Sequence, residues 1–103
     1  KGNGGVDRVL LEDLKGESQY EFPTAATFIF IGFHPNSSFL EGAVPLDGGG
    51  HVITNIRMET PVSGVFAAGD VRQFSDRQLG NAVGDGITAA LSAYRYITES
   101  EKN

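Results

Sequence analysis

Apolar residues recur at intervals of three and four across Gln78 to Thr98, at Val83, Ile87, Ala90, Leu91, Tyr94 and Ile97. That period predicts an amphipathic helix burying one stripe. Upstream, Val65 to Ala68 is an unbroken apolar run, entered through the turn-forming residues Pro61 to Gly64. The lack of alternation predicts a strand covered on both faces, as in a parallel sheet. In the first half, Val6 to Leu11 and Gln19 to Phe22 have strand composition around the turn residues 13–17, which predicts a β-hairpin. Thr27 to Ile31, dense in β-branched and aromatic residues, is the expected buried strand of that half. The elements together predict an α/β chain: a β-hairpin or meander, then a strand-loop-helix unit.

Breaks in the pattern are as informative. Gly32 ends the Thr27 to Ile31 run, and Pro35 disfavours helix at the residue before it, so residues 33–40 read as an irregular crossing segment. Asp47-Gly48-Gly49-Gly50 reads as a turn leading into a short strand, His51 to Thr54; no helix follows the glycines, which argues against a phosphate cradle. Gly2, Gly4 and Gly5 follow no strand and read as a terminal loop, not a dinucleotide turn, while Glu99 to Asn103 reads as a frayed end. Val71 to Asp76 reads as a polar loop. Gly80, Gly84 and Gly86 each cost a helix about 1 kcal/mol relative to alanine, which calls for close packing against that face.

Composition narrows the classes without changing this picture. One globular domain at most is expected of 103 residues, 40% of them hydrophobic and 20% charged. A net charge of -5, with lysine and arginine few and scattered, argues against nucleic-acid and acidic-membrane partners. No apolar run approaches the roughly 18 residues of a membrane span, and no signal-peptide core is present, so a cytoplasmic location is expected. With no cysteine, the chain carries neither a disulfide nor a dithiol redox pair.

Candidate chemistry gathers around the end of the Val65 to Ala68 run. Gly69 removes a side chain where a backbone or ligand can come close, and Asp70 sets a carboxylate just beyond it, able either to hold a ligand hydroxyl or to serve as a helix cap or loop acid. Arg77 and Gln78 stand at the helix start, where unpaired N–H groups and the macrodipole attract electron-rich groups; an ordinary helix start with a solvated arginine is the other reading. His34 has no partner acid or nucleophile nearby in sequence and reads as a loop imidazole with a local hydrogen bond. No metal-ligand spacing stands out.

Four segments in order, Ile31-Gly32-Phe33-His34-Pro35-Asn36, Gly64-Val65-Phe66-Ala67-Ala68-Gly69-Asp70, Arg77-Gln78, and Gly84-Asp85-Gly86 with Ala89-Ala90, resemble the C-terminal FAD-binding signature of the low-molecular-weight thioredoxin reductases. The resemblance implies a part of an NADPH-dependent, FAD-containing reductase. Residues 1–32 would end its pyridine-nucleotide-binding domain, 33–40 would cross between domains, and 41–103 would form the C-terminal part of its FAD-binding domain. It implies that Gly69, Asp70, Arg77, Gln78 and Leu79 form one wall of the flavin site, with Asp70 on a ribityl hydroxyl and the Arg77-Gln78 corner facing the pyrimidine ring. Leu79 stands where the family commonly has alanine and would crowd the flavin edge. Neither glycine-rich dinucleotide turn of such an enzyme is found here, nor its dithiol, so this chain alone is expected to be inactive and without tightly bound flavin. Thioredoxin or a related redox protein would be the partner of the whole reductase, and self-association, most simply a two-fold dimer, is expected of this chain. A thioredoxin-reductase-like ferredoxin-NADP or flavin reductase, or a non-catalytic interaction module, are the alternatives.

Overall fold

Asp13 folds the chain back on itself: its carboxylate accepts the Lys15 N–H at 2.9 Å, Glu17 adopts φ 49°, and the loop 14–17 joins two antiparallel strands. These are β1 (Arg8–Asp13) and β2 (Ser18–Pro23), registered from Arg8 opposite Pro23 to Asp13 opposite Ser18. The expected hairpin is present, each strand ending one or two residues further along than the composition suggested. The computed structural model describes residues 4–101 and divides into two compact units, Lys1–Gly32 and Phe33–Asn103. Residues 1–3 of the expected terminal loop, and Lys102 and Asn103 of the expected frayed end, lie outside the described residues.

Among the described residues, the first unit holds only the hairpin as regular structure. Thr27 to Ile31 is not the buried strand its composition predicts: it has no extended pairing, and Phe28, Ile29, Phe30 and Ile31 are 76–92% exposed. High β-propensity describes a side chain that fits a pleated, covered surface; this unit's two strands bond to each other and offer the segment neither a ladder nor a cover.

In the second unit the chain winds around Val52, which is 2% exposed. Val52 pairs with Leu46 on one side and, in parallel sense, with Arg72 on the other, through N–H to Val71 O at 2.9 Å and C=O from Gln73 N at 2.8 Å. Val44 and Met58 complete the buried apolar set. Thr60 anchors the turn ahead of the signature segment, its hydroxyl donating to Val65 O at 2.9 Å and accepting from Val62 N at 3.1 Å. Val65 to Ala68 is therefore not a parallel strand covered on both faces. It folds back antiparallel on residues 58–60, with Phe66 opposite Glu59; Val65 is exposed and Phe66 to Ala68 are half-buried.

Gly69 follows at φ 76° and opens a short 3-10 turn, Gly69–Val71. α1 (Leu79–Ser100) begins at Gln78, whose C=O accepts the Ala82 N–H. Its covered face is small and polar: Asp85 and Ser92 are buried and Ala82, Ala89 and Ala93 half-buried, and the Tyr96 ring meets Phe66 edge-on with centroids 6.2 Å apart. The apolar stripe expected to be buried is exposed, Val83, Ile87, Leu91, Tyr94 and Ile97 being 51–66% accessible. At 100° per residue the two faces lie on opposite sides of the helix. The ion pair described next turns the Asp85 side inward, and Gly80, Gly84 and Gly86 look into open space, so nothing in this unit provides the close packing they were expected to serve.

Candidate functional site

A carboxylate from early in α1 fixes the chain at the signature turn. Asp85 accepts two hydrogen bonds from the Arg72 guanidinium, Nε on Oδ2 and Nη2 on Oδ1 at 2.9 Å, and a third from the Gly69 N–H at 3.0 Å. Both side chains are well covered, 8% and 15% exposed, and the Arg72 bonds hold the Asp85 carboxyl below its ordinary range despite burial. Arg72 spends one more N–H on Gln73 O. A largely buried, bidentate pair with further hydrogen bonds on both partners is the geometry in which attraction offsets desolvation. At Gly69 the positive φ of 76° favours glycine; an added Cβ would meet the Ala82 Cβ at 3.5 Å, an ordinary contact.

Beyond that anchor lies a cleft of about 320 Å³ lined by Phe33, His34, Pro35, Asn36, His51, Asp70, Val71 and Arg77. Ser37, 2% exposed, ties the 33–36 segment to the glycine turn by donating to Gly50 O. Asp70 is exposed at the cleft. Arg77 holds the uncommon φ of 54°, lies over the Phe33 ring at 5.6 Å, and brings Nη2 to 3.1 Å from His51 Nε2. Non-glycine residues in this backbone region gather at functional sites. Of the sequence-predicted site residues, then, Asp70 and Arg77 meet in one cleft. Gly69 lies buried behind it; Gln78 and Leu79 stand at the start of α1 outside its lining, Leu79 84% exposed. His34 makes the expected local contact, Nδ1 to Pro35 O at 3.3 Å. Among the described residues no cluster of metal-ligating side chains occurs, and no helix is long and apolar enough to cross a membrane.

Asp85, Arg72, Asp47 and His51 are not among the sequence-predicted site residues. For the first pair the available signal is a lone acid set directly between Gly84 and Gly86 inside the predicted helix; its partner Arg72 lies 13 residues upstream, beyond any helical spacing. The Asp47–His51 spacing of four left none beyond the turn itself.

The family described as pyridine nucleotide-disulphide oxidoreductase matches residues 1–86, and the chain belongs to it. It is 43% identical over 100 residues to the thioredoxin reductase of Bacillus subtilis, covering 97% of this chain and 32% of that protein. It is 36% identical over 96 residues to the 34.2 kDa protein in the rubredoxin operon of Clostridium pasteurianum, covering 93% of this chain and 31% of that protein. The crystal structure of thioredoxin reductase from Streptococcus pyogenes superposes with a TM-score of 0.77 at 35% identity, covering 96% of this chain and 33% of that one. The chain thus spans about a third of the length of these relatives, and its architecture is a part of their α/β FAD/NAD(P)-binding fold.

Proposed function

We propose that the chain is the C-terminal part of an FAD-dependent, NADPH-using thioredoxin reductase and forms one wall of its flavin site. The observation that carries this reading is the meeting of Asp70 and Arg77 in one cleft with the 33–36 segment. An acceptor carboxylate and a guanidinium lining one cleft suit a ligand bearing both hydroxyls and carbonyls. A cleft of about 320 Å³ is at the small end of ligand pockets, so it fits part of a dinucleotide, with the rest held elsewhere in the whole reductase. Asp70 accepts from a ribityl hydroxyl, and the Arg77-Gln78 corner with Gly69 and Leu79 borders the flavin ring. FAD, when bound, supplies the electron transfer between NADPH and a disulfide. The division after Gly32 supports reading residues 1–32 as the end of the pyridine-nucleotide domain, 33–40 as the crossing and 41–103 as FAD domain. The whole protein would be a cytoplasmic homodimer acting on thioredoxin.

In the full-length reductase, Asp70→Ala should lower flavin content severalfold, while Asp76→Ala, whose carboxylate accepts from Asn81 at 2.7 Å, should leave it nearly unchanged. Equal loss from the two variants would refute the assignment. A second reading, a reductase with a different electron acceptor, is favoured by the relative in the rubredoxin operon. NADPH-driven reduction of thioredoxin by the full-length protein separates the two.

A further inference from the structure

Arg77 is held from two sides by groups that the flavin-wall reading does not use. A guanidinium has only donors, so at 3.1 Å from Arg77 Nη2 the His51 Nε2 must be the acceptor, which puts the imidazole proton on Nδ1. Nδ1 faces Asp47 Oδ1 at 3.4 Å, and that same oxygen accepts the Gly49 and His51 N–H groups at 2.8 and 2.9 Å. The His51 N–H above all holds the Asp47 carboxyl below its ordinary range, so the oxygen facing Nδ1 carries charge at neutral pH. Both side chains are mostly covered, 14% and 19% exposed. The Asp47 to Gly50 turn that looked like a bare connector is the rigid mount of this arrangement.

We propose that Asp47 and His51 are positioning residues for Arg77: the carboxylate holds His51 as its Nδ1–H tautomer, and the bare Nε2 draws the guanidinium against Phe33 at the cleft wall. Four Arg77 N–H groups remain for a ligand, aimed by a base that spends no proton of its own on the cleft. A carbonyl-bearing planar ring is the group such a fork would serve, and this role rests on the flavin-wall reading.

Nitrogen-15 NMR of this chain at mildly alkaline pH should find the His51 proton on Nδ1, and Arg77→Leu should shift it toward Nε2. An Nε2–H imidazole in the unaltered chain overturns the proposal. In the full-length reductase, His51→Leu should weaken FAD binding about tenfold, as expected on losing a hydrogen bond to a charged group. His51→Gln, whose amide oxygen can accept from Arg77, should stay within about threefold of the parent. Equal loss from both, or an effect of Arg77→Leu without one from His51→Leu, overturns the positioning role and leaves the flavin wall standing. If Arg77→Leu leaves FAD binding unchanged, the flavin-wall reading fails and the positioning role with it.

Discussion

At the scale of residues, the second unit depends on a few polar groups more than on its apolar ones. Only Val44, Val52 and Met58 are buried hydrophobics among the described residues, whereas Ser37, Thr60, Asp85 and Ser92 are buried and three of these four close hydrogen bonds that fix turns or the helix. Asp85→Ala strands both the Arg72 guanidinium and the Gly69 N–H, and should destabilise the chain by about 3 kcal/mol, measured by urea unfolding. Because the folded-state pKa of Asp85 is depressed, its stabilisation is complete above the ordinary carboxylate value of about 3.9 and fades as pH falls through the lower, folded one. Asp85→Asn should therefore unfold with a flatter pH dependence below about pH 4 than the parent chain; curves of equal steepness would remove Asp85 from the account.

At the scale of elements, what the sequence revealed depended on whether the forces that shape an element lie within it. β1 and β2 were legible because their pairing is local and the Asp13 turn is written in its residue types. α1 was legible in length to within two residues, since 3.6-residue periodicity is a property of the helix itself. Which side of it turns inward was not: the apolar stripe points away, because Arg72, 13 residues upstream, takes Asp85. Likewise the motif's resemblance implied that Asp70 and the Arg77-Gln78 corner share one wall, but the His51 that meets Arg77 lies 26 residues before it, a distance no local pattern encodes. The helix glycines give a test. In this chain Gly84→Ala and Gly86→Ala meet open space and should each raise stability by up to about 1 kcal/mol. Thermal unfolding of this chain and of the full-length reductase should part company if that face is packed in the larger protein: gain here, loss there.

For the molecule as a whole, the balance of covered and uncovered apolar surface is the dominant fact. Phe28, Phe30 and Ile31 in the first unit and Val83, Ile87 and Leu91 in the second each leave half or more of their surface in water. A two-stranded hairpin is marginal by itself, and stretches of apolar surface of this kind seek cover. We therefore expect concentration-dependent self-association of the isolated chain, read by size-exclusion chromatography with light scattering, and reversal of part of it by Val83→Lys with Ile87→Lys on the exposed face of α1. A strictly monomeric chain at high concentration would overturn this expectation.

The Asp85 bond to the Gly69 N–H ties the second turn of α1 to the backbone one residue before Asp70. If the cleft takes a ligand as proposed, its occupancy and the integrity of the helix are coupled through that bond. A ligand held by Asp70 stabilises the folded turn by an amount that grows with the logarithm of its concentration over its dissociation constant. Where opening of α1 at Asp85 also breaks that turn, the same ligand would make the opening equilibrium less favourable. The Gly69 amide proton sits on the joint, so its exchange with solvent would report ligand arrival at the cleft and loosening of a helix turn sixteen residues away, through a single nitrogen.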